Sequence, residues 1–361
     1  MQWPSHGGRP EQLLARFGLA ADREILDFSA NINPLGPPAW LKDRLIAGLD
    51  GLDVYPDPGY LEARCAIAEA ENLDSAQVLL TNGGAEAVFL AARLHAGQTA
   101  TIVQPTFVEY ERACRHYGLR VADLPLSPDN SFSLDETRAS RAMEGSDVLF
   151  VCRPNNPTGT LIERSLVERL LEAGRRLDCT LVVDEAFVDF LTDPVERLTP
   201  LLARYPNLIL LRSMTKLYAI PGLRLGYLLG SPEVVRHAAA LQMPWSVNSL
   251  AAALVEPLLA DSGFVARTHR WLQEERLRLH EAFARLGFQV TPSQVNFLLL
   301  RDARCPSATG KLFEFLLHAG ILARHTHNFR GLDGAWLRLA VRSREDNGRL
   351  LAALGDWSPA G

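Results

Sequence analysis

Short continuous apolar runs alternate with amphipathic stretches through the middle of the chain. The runs at 77–81, 99–103, 147–152, 180–183, 208–212 and 224–229 are predicted strands. Between several of them, segments such as 85–95 and 165–177 place apolar residues at helical spacing. Strands that are apolar along their whole length are buried on both faces. With helices between them, they predict a mostly parallel sheet covered on both sides. The pattern changes after about residue 230. A long charged helix near 263–286 precedes three alternating strands near 296–300, 321–324 and 336–341, which predicts a smaller α+β unit. The proline-bearing start (Pro4, Pro10, Pro34) reads as an extended arm. The predicted division is therefore an arm over 1–35, a large domain over 36–240 and a small C-terminal domain over 241–361.

Composition narrows the classes of function. Of 361 residues, 47% are hydrophobic and 22% charged, which supports a large core and excludes disorder, collagen and coiled coil. The formal net charge is −5, from 37 Lys+Arg against 42 Asp+Glu, so no nucleic acid and no acidic membrane surface is expected as the main partner. Cys65, Cys114, Cys152, Cys179 and Cys305 are scattered without a C-x-x-C pair. They read as reduced thiols, with no disulfide frame and no metal site. No apolar run reaches membrane length, and the start lacks the charged and apolar regions of a signal peptide. A soluble, cytoplasmic protein acting on small molecules is expected.

The most informative segment is S-M-T-K-L-Y-A-I-P-G-L-R-L-G-Y over 213–227, directly after a predicted strand. Alone, Lys216 would read as a lysine snorkelling to the surface. Its surroundings change that reading: Ser213 and Arg224 are donors suited to a phosphate, and Pro221 and Gly222 set a tight turn between them. Nearby cations and partial burial lower a lysine's pKa and make it a Schiff-base nucleophile. Three more segments precede it in order. Asp184 ends L-V-V-D over 181–184, Asn156 lies in R-P-N-N-P-T-G over 153–159, and T-N-G-G-A-E spans 81–86. At the last, Gly84 and Ala85 offer free backbone N–H groups at a helix start, which suits a phosphate.

Segments of this kind, in this order, resemble the fold-type I pyridoxal-phosphate (PLP) enzymes of the aminotransferase superfamily. The resemblance implies an α/β fold with a large, mostly parallel seven-stranded sheet domain and a smaller C-terminal α+β domain. It implies PLP carried by Lys216, with Asp184 keeping the pyridine nitrogen protonated so that the ring is an electron sink. Asn156 would face the cofactor's phenolic oxygen, and Gly84, Ala85, Ser213 and Arg224 its phosphate. Tyr110, in Q-P-T-F-V-E-Y over 104–110, would stack on the ring. Tyr55 would lend its hydroxyl to the phosphate of a neighbouring subunit, which implies a homodimer. Many relatives have tyrosine where this chain has Phe187, so Asn156 would make the phenolic contact alone.

A fold of this kind hosts several reactions, so the substrate groups must choose. Arg338, in W-L-R-L-A-V-R over 336–342, lies where relatives grip the α-carboxylate with a bidentate fork, and on a strand Arg342 would share its face. Arg324 lies where phosphate-recognising relatives have a second arginine. Together they imply a phosphorylated amino acid as substrate. His6-Gly7-Gly8, followed by D-F-S-A-N-I-N-P-L-G over 27–36, resembles the start of the L-threonine-O-3-phosphate decarboxylases of cobalamin synthesis. In them the counterparts of His6, Gly7 and Asn31 contact substrate, and Asn156 faces both ligands. Histidinol-phosphate aminotransferases usually have N-E-N-P here and generally lack the arm. The resemblance thus implies decarboxylation of L-threonine O-3-phosphate to (R)-1-amino-2-propanol O-2-phosphate. A phosphorylated-substrate aminotransferase stays open beside it. So does a non-catalytic module on the same fold, although intact Lys216, Asp184 and Arg224 speak against that.

Overall fold

The computed structural model describes residues 3–20 and 22–359. Its larger sheet has seven strands: β1 (Val78–Thr81), β2 (Thr99–Gln104), β3 (Arg120–Pro125), β4 (Val148–Cys152), β5 (Thr180–Asp184), β6 (Leu208–Ser213) and β7 (Gly226–Leu229). They lie in the order β1-β7-β6-β5-β4-β2-β3, and only β7 runs antiparallel to its neighbours. The central strands are buried along nearly their whole length, as continuous apolar runs require. The hydrophobic pattern misses β3. It is an edge strand, largely exposed and ending at Pro125, so half of its residues have no core to face.

Helices α1 (Gly83–Leu94), α2 (Glu109–His116) and α3 (Arg164–Leu177) flank this sheet. In α3 the buried Val167, Leu170, Leu171 and Gly174 repeat at helical spacing. A second sheet is antiparallel throughout, in the order β10-β11-β9-β8: β8 (Phe288–Val290), β9 (Phe297–Asp302), β10 (Arg324–His325) and β11 (Leu337–Ala340). The 24-residue helix α4 (Ser262–Arg285) touches both parts. Its Thr268 hydroxyl accepts from Asn33 Nδ2, and its Trp271 indole donates to the Arg342 carbonyl.

The arm differs from the extended segment expected. Pro10–Arg16 is helical, with the proline at the first helical position, where its missing N–H costs no hydrogen bond, and with Leu13 and Leu14 buried. Leu26–Asp27 then pairs in parallel with Ile321–Leu322. The two form a separate two-stranded sheet, and just beyond it the Ala340 N–H donates to the Phe28 carbonyl, which ties the start of the chain to β11. Among the described residues no single helix is long and apolar enough to cross a membrane, and no cluster of His, Cys, Asp and Glu has the arrangement of a metal site.

Candidate active site

Ligands of open α/β sheets bind beyond the carboxyl ends of the strands. Here Cys152, Asp184 and Ser213 end adjacent strands and line one cavity of about 830 Å³, closed on its other side by the arm and the second sheet. That volume suits a cofactor together with a small substrate. Every site residue expected from the sequence lines this cavity except Tyr55.

Side chains alternate along a strand, so the neighbours of these residues point to the sheet's other face. There Arg153, Glu185 and Arg212 form a wholly buried ionic cluster, with Glu185 3.2 Å from Arg153 and 2.9 Å from Arg212. In the sequence the stretch around Arg153 has the character of a polar turn. An R-P dipeptide carries no sign that its arginine pairs across strands.

Lys216 lies in the single helical turn Met214–Leu217 that follows β6 without a linker. Burial, reinforced by Arg338 and Arg224 and opposed by Asp184, lowers its pKa to about 8. Asp184 is buried, and burial raises its pKa against hydrogen bonds from Tyr110 and the Ala186 N–H. The Tyr110 hydroxyl donates to Asp184 Oδ2 at 2.6 Å, a contact no sequence pattern announces. The Tyr110 ring is stacked on Phe150 with centroids 6.0 Å apart. Asn156 Oδ1 accepts from Arg338 Nη1 at 2.6 Å. This orients the amide and leaves its Nδ2 donor without a partner among the described residues.

Gly83 opens α1 with φ +76°, and a Cβ there would stand 2.4 Å from Arg224 Nη2. Only glycine lets the guanidinium lie against the helix start, beside the unpaired N–H groups of the first turn. Ser213 Oγ and Thr215 Oγ1 are 2.8 Å apart, and Thr215 also lines the cavity. Thr215 is not among the residues expected from the sequence, although it stands one residue before Lys216. This cradle of backbone N–H groups, hydroxyls and a guanidinium fits the phosphate of PLP. A buried carboxylate fits its ring nitrogen, a low-pKa amine its aldehyde and a free amide donor its phenolic oxygen. Gly83→Ala is expected to weaken cofactor binding at least about tenfold through this clash and the positive φ, which equilibrium dialysis would check.

The opposite wall is built by register. Arg324 on β10 and Arg338 on β11 are directly paired Cα partners, so both side chains rise from the same face. Both are buried, and neither makes a salt bridge among the described residues. Arg338 donates to Asn156 Oδ1 and to the Ser29 carbonyl, and its Nε has no partner among the described residues. Burial first, then Arg324, lowers its pKa to about 9, while burial lowers Arg324 to about 10. The oxygens that Arg324 meets are neutral: the carbonyls of Pro4 and Ser5 and the Asn328 amide. Arg342 does not share this face. The strand ends at Ala340, and Arg342 turns away to Asp346 and the Asp27 carbonyl.

Over these arginines lies the arm. His6 Nε2 is 3.0 Å from Glu109 Oε1, and the Gly8 N–H donates to Ser29 Oγ. Gly7 packs so closely that a Cβ would meet the Ser29 carbonyl oxygen at 2.3 Å. Asn31 is buried with its Oδ1 unpartnered among the described residues, and it lines the same space. Tyr55 instead is 82% exposed, outside the cavity, with its ring 5.2 Å from that of Trp245.

The family profile "Aminotransferase class I and II" matches residues 23–354. The chain is 40% identical over 352 residues to the threonine-phosphate decarboxylase of Salmonella typhimurium, covering 97% of this chain and 95% of that protein. The crystal structure of L-threonine-O-3-phosphate decarboxylase from Porphyromonas gingivalis superposes with a TM-score of 0.79 at 31% identity, covering 91% and 97% of the two chains. That of the histidinol-phosphate aminotransferase from Clostridium acetobutylicum gives 0.87 at 30% identity, covering 92% and 98%. Fold similarity therefore does not separate the two reactions.

Proposed function

The chain belongs to the aminotransferase class I and II family, and from that premise we propose that it is a PLP-dependent decarboxylase of L-threonine O-3-phosphate. The products are (R)-1-amino-2-propanol O-2-phosphate, a precursor in cobalamin synthesis, and carbon dioxide. The observation that carries the substrate class is the pair Arg324 and Arg338, opposed in register, buried and without a carboxylate partner among the described residues, on one wall of the cavity that holds Lys216; the arm with His6 and Gly7 over that wall supports decarboxylation rather than amino transfer. Two buried cations so close destabilise each other and call for a ligand with two anionic groups. Threonine phosphate has them.

When bound, PLP supplies an aldehyde for amines and a ring that takes up the electron pair of a breaking bond at Cα. The backbone N–H groups of Gly84 and Ala85, with Ser213, Thr215 and Arg224, would hold its phosphate. Asp184, kept in place by the Tyr110 hydroxyl, would pair with its ring nitrogen, and Asn156 Nδ2 would donate to its phenolic oxygen. Arg338 grips the substrate carboxylate, and Arg324 grips the substrate phosphate. His6, Gly7 and Asn31 complete the substrate's surroundings under the arm, which keeps water out. Gripping the substrate at both ends would fix the orientation of the Cα–carboxylate bond that has to break. As carbon dioxide leaves, a proton must reach Cα, and the Lys216 Nζ carries it.

Tyr55 lies among exposed apolar side chains, including Leu52, Val54, Met243 and Trp245, and Trp245 Nε1 donates to the Pro56 carbonyl to bring the two segments together. A second copy of the chain covers this face in our reading, and its Tyr55 reaches the cofactor phosphate. Sedimentation velocity is expected to give a dimer, and a monomer at micromolar concentration counts against this.

The test of the activity is carbon dioxide release from L-threonine O-3-phosphate by the PLP-loaded protein without any keto acid. Multiple turnovers giving aminopropanol phosphate are expected. No carbon dioxide, but amino transfer from histidinol phosphate once 2-oxoglutarate is added, overturns the decarboxylase reading and leaves that of the cofactor site standing.

A further inference from the structure

Glu109 has no place in the chemistry above, yet its carboxylate faces the cavity and is nine-tenths buried at the start of α2. A carboxylate at the mouth of a site for a doubly anionic ligand repels that ligand unless it is neutralised. Arg112 is too distant to do so well, at 3.5 Å and largely exposed. His6 meets it more closely from the arm, with Nε2 3.0 Å from Oε1, and this contact holds the Glu109 carboxyl below its usual pKa. His6 also makes, among the described residues, the one polar side-chain contact between segment 3–9 and the large-sheet part of the molecule. The other links run to Ser29 and to Arg324, His325 and Asn328.

We propose that Glu109 is a positioning residue for the phosphorylated end of the substrate: it clamps His6, fixes the turn 5–8 as the roof of the cavity, and has its own carboxylate occupied by that clamp. This rests on the reading of His6 as a substrate residue. The arm is then held on two sides, by Glu109 on α2 and by Arg324 on β10. The guanidinium that meets the substrate phosphate is the one that docks Pro4 and Ser5, so arm closure and substrate binding share one group.

The proposal predicts a particular non-additivity. Glu109→Ala frees His6, and His6→Ala leaves an unpaired carboxylate beside the anion site. Each is expected to raise KM for L-threonine O-3-phosphate about tenfold with kcat within about twofold, as loss of ground-state and transition-state binding alike requires. The double variant is expected to raise KM about tenfold, far short of the roughly hundredfold product of independent effects, because removing both partners removes the repulsion too. Glu109→Gln, which keeps an acceptor for His6, is expected to lie between the parent and Glu109→Ala.

Two readouts need no turnover. One is the dissociation constant of the product, aminopropanol phosphate, which carries the same phosphorylated end, read from cofactor absorbance of the holoenzyme in the same variants. The other is hydrogen–deuterium exchange of segment 3–9, expected to speed up in Glu109→Ala. A protein that binds the ligand but releases no carbon dioxide refutes the decarboxylase reading and leaves these two readouts to decide on Glu109. Multiplying single-variant effects, an unchanged dissociation constant in Glu109→Ala, or faster exchange without weaker binding each overturns the proposal.

Discussion

Lys216→Ala is expected to abolish the absorbance of lysine-bound cofactor and to lower turnover by on the order of 10⁴, the upper end of what a positioned proton-transfer group contributes. Two properties of the amine are lost together. In the proposed reading it would anchor the cofactor covalently and carry a proton to Cα. Its environment suits both tasks. Burial and the flanking Arg338 and Arg224 disfavour the ammonium and bring the pKa to about 8. The neutral fraction at pH 7–8 is therefore substantial, where an exposed lysine would be almost wholly charged. The sign is clear: a lowered pKa places the rise in neutral amine near pH 8. Cofactor uptake by the apoprotein should rise through that pH and level off above it. A rate that keeps climbing toward pH 10 would mean an ordinary lysine, and sustained turnover by Lys216→Ala would remove the central assignment.

Arg338→Met is expected to lower kcat/KM for threonine phosphate about a hundredfold or more, the cost of truncating one partner of a buried, hydrogen-bonded charge pair. Methionine fills similar space beside Phe297, over whose ring the Arg338 guanidinium lies at 5.6 Å. Loss of packing is thus a small part of the effect. The product separates the two arginines. Aminopropanol phosphate has no carboxylate, so its inhibition constant should change little in Arg338→Met. It should rise strongly in Arg324→Met, where the phosphate grip is lost. Arg338→Lys is expected to recover only part of the activity, because an ammonium cannot form the two-pronged contact. Equal weakening of product in both variants would mean that Arg324 and Arg338 serve the same group, and the two-anion reading would fall.

The glycines of 83–84, Asn156, Asp184 and Lys216 are legible in the sequence because each sits at the end of an apolar run, where a strand gives way to a loop or helix. Periodicity places such strand ends at one edge of a parallel sheet, and the resemblance to PLP enzymes is what singles these residues out. Glu109 is not legible. In the first turn of a helix an acidic residue is ordinary complement to the helix dipole, and nothing nearby announces its partner more than a hundred residues away. The strand β3 escapes the pattern because an exposed edge has no alternation to read.

Sequence by itself determined the strand–helix alternation, the order of the chemistry-bearing segments and a pair of glycines at a predicted helix start. These depend on neighbours within a turn or two of chain. Tertiary structure alone decided that Arg338 meets Asn156 and Ser29, 182 and 309 residues away, and that Tyr110 donates to Asp184. It also decided that Arg342 turns away, and that a proline-containing arm folds back as a helix and a strand to roof the cavity. Periodicity records which face of an element is buried. Which distant face it meets is set by the packing of whole sheets, and there two arginines become opposite partners across one ladder.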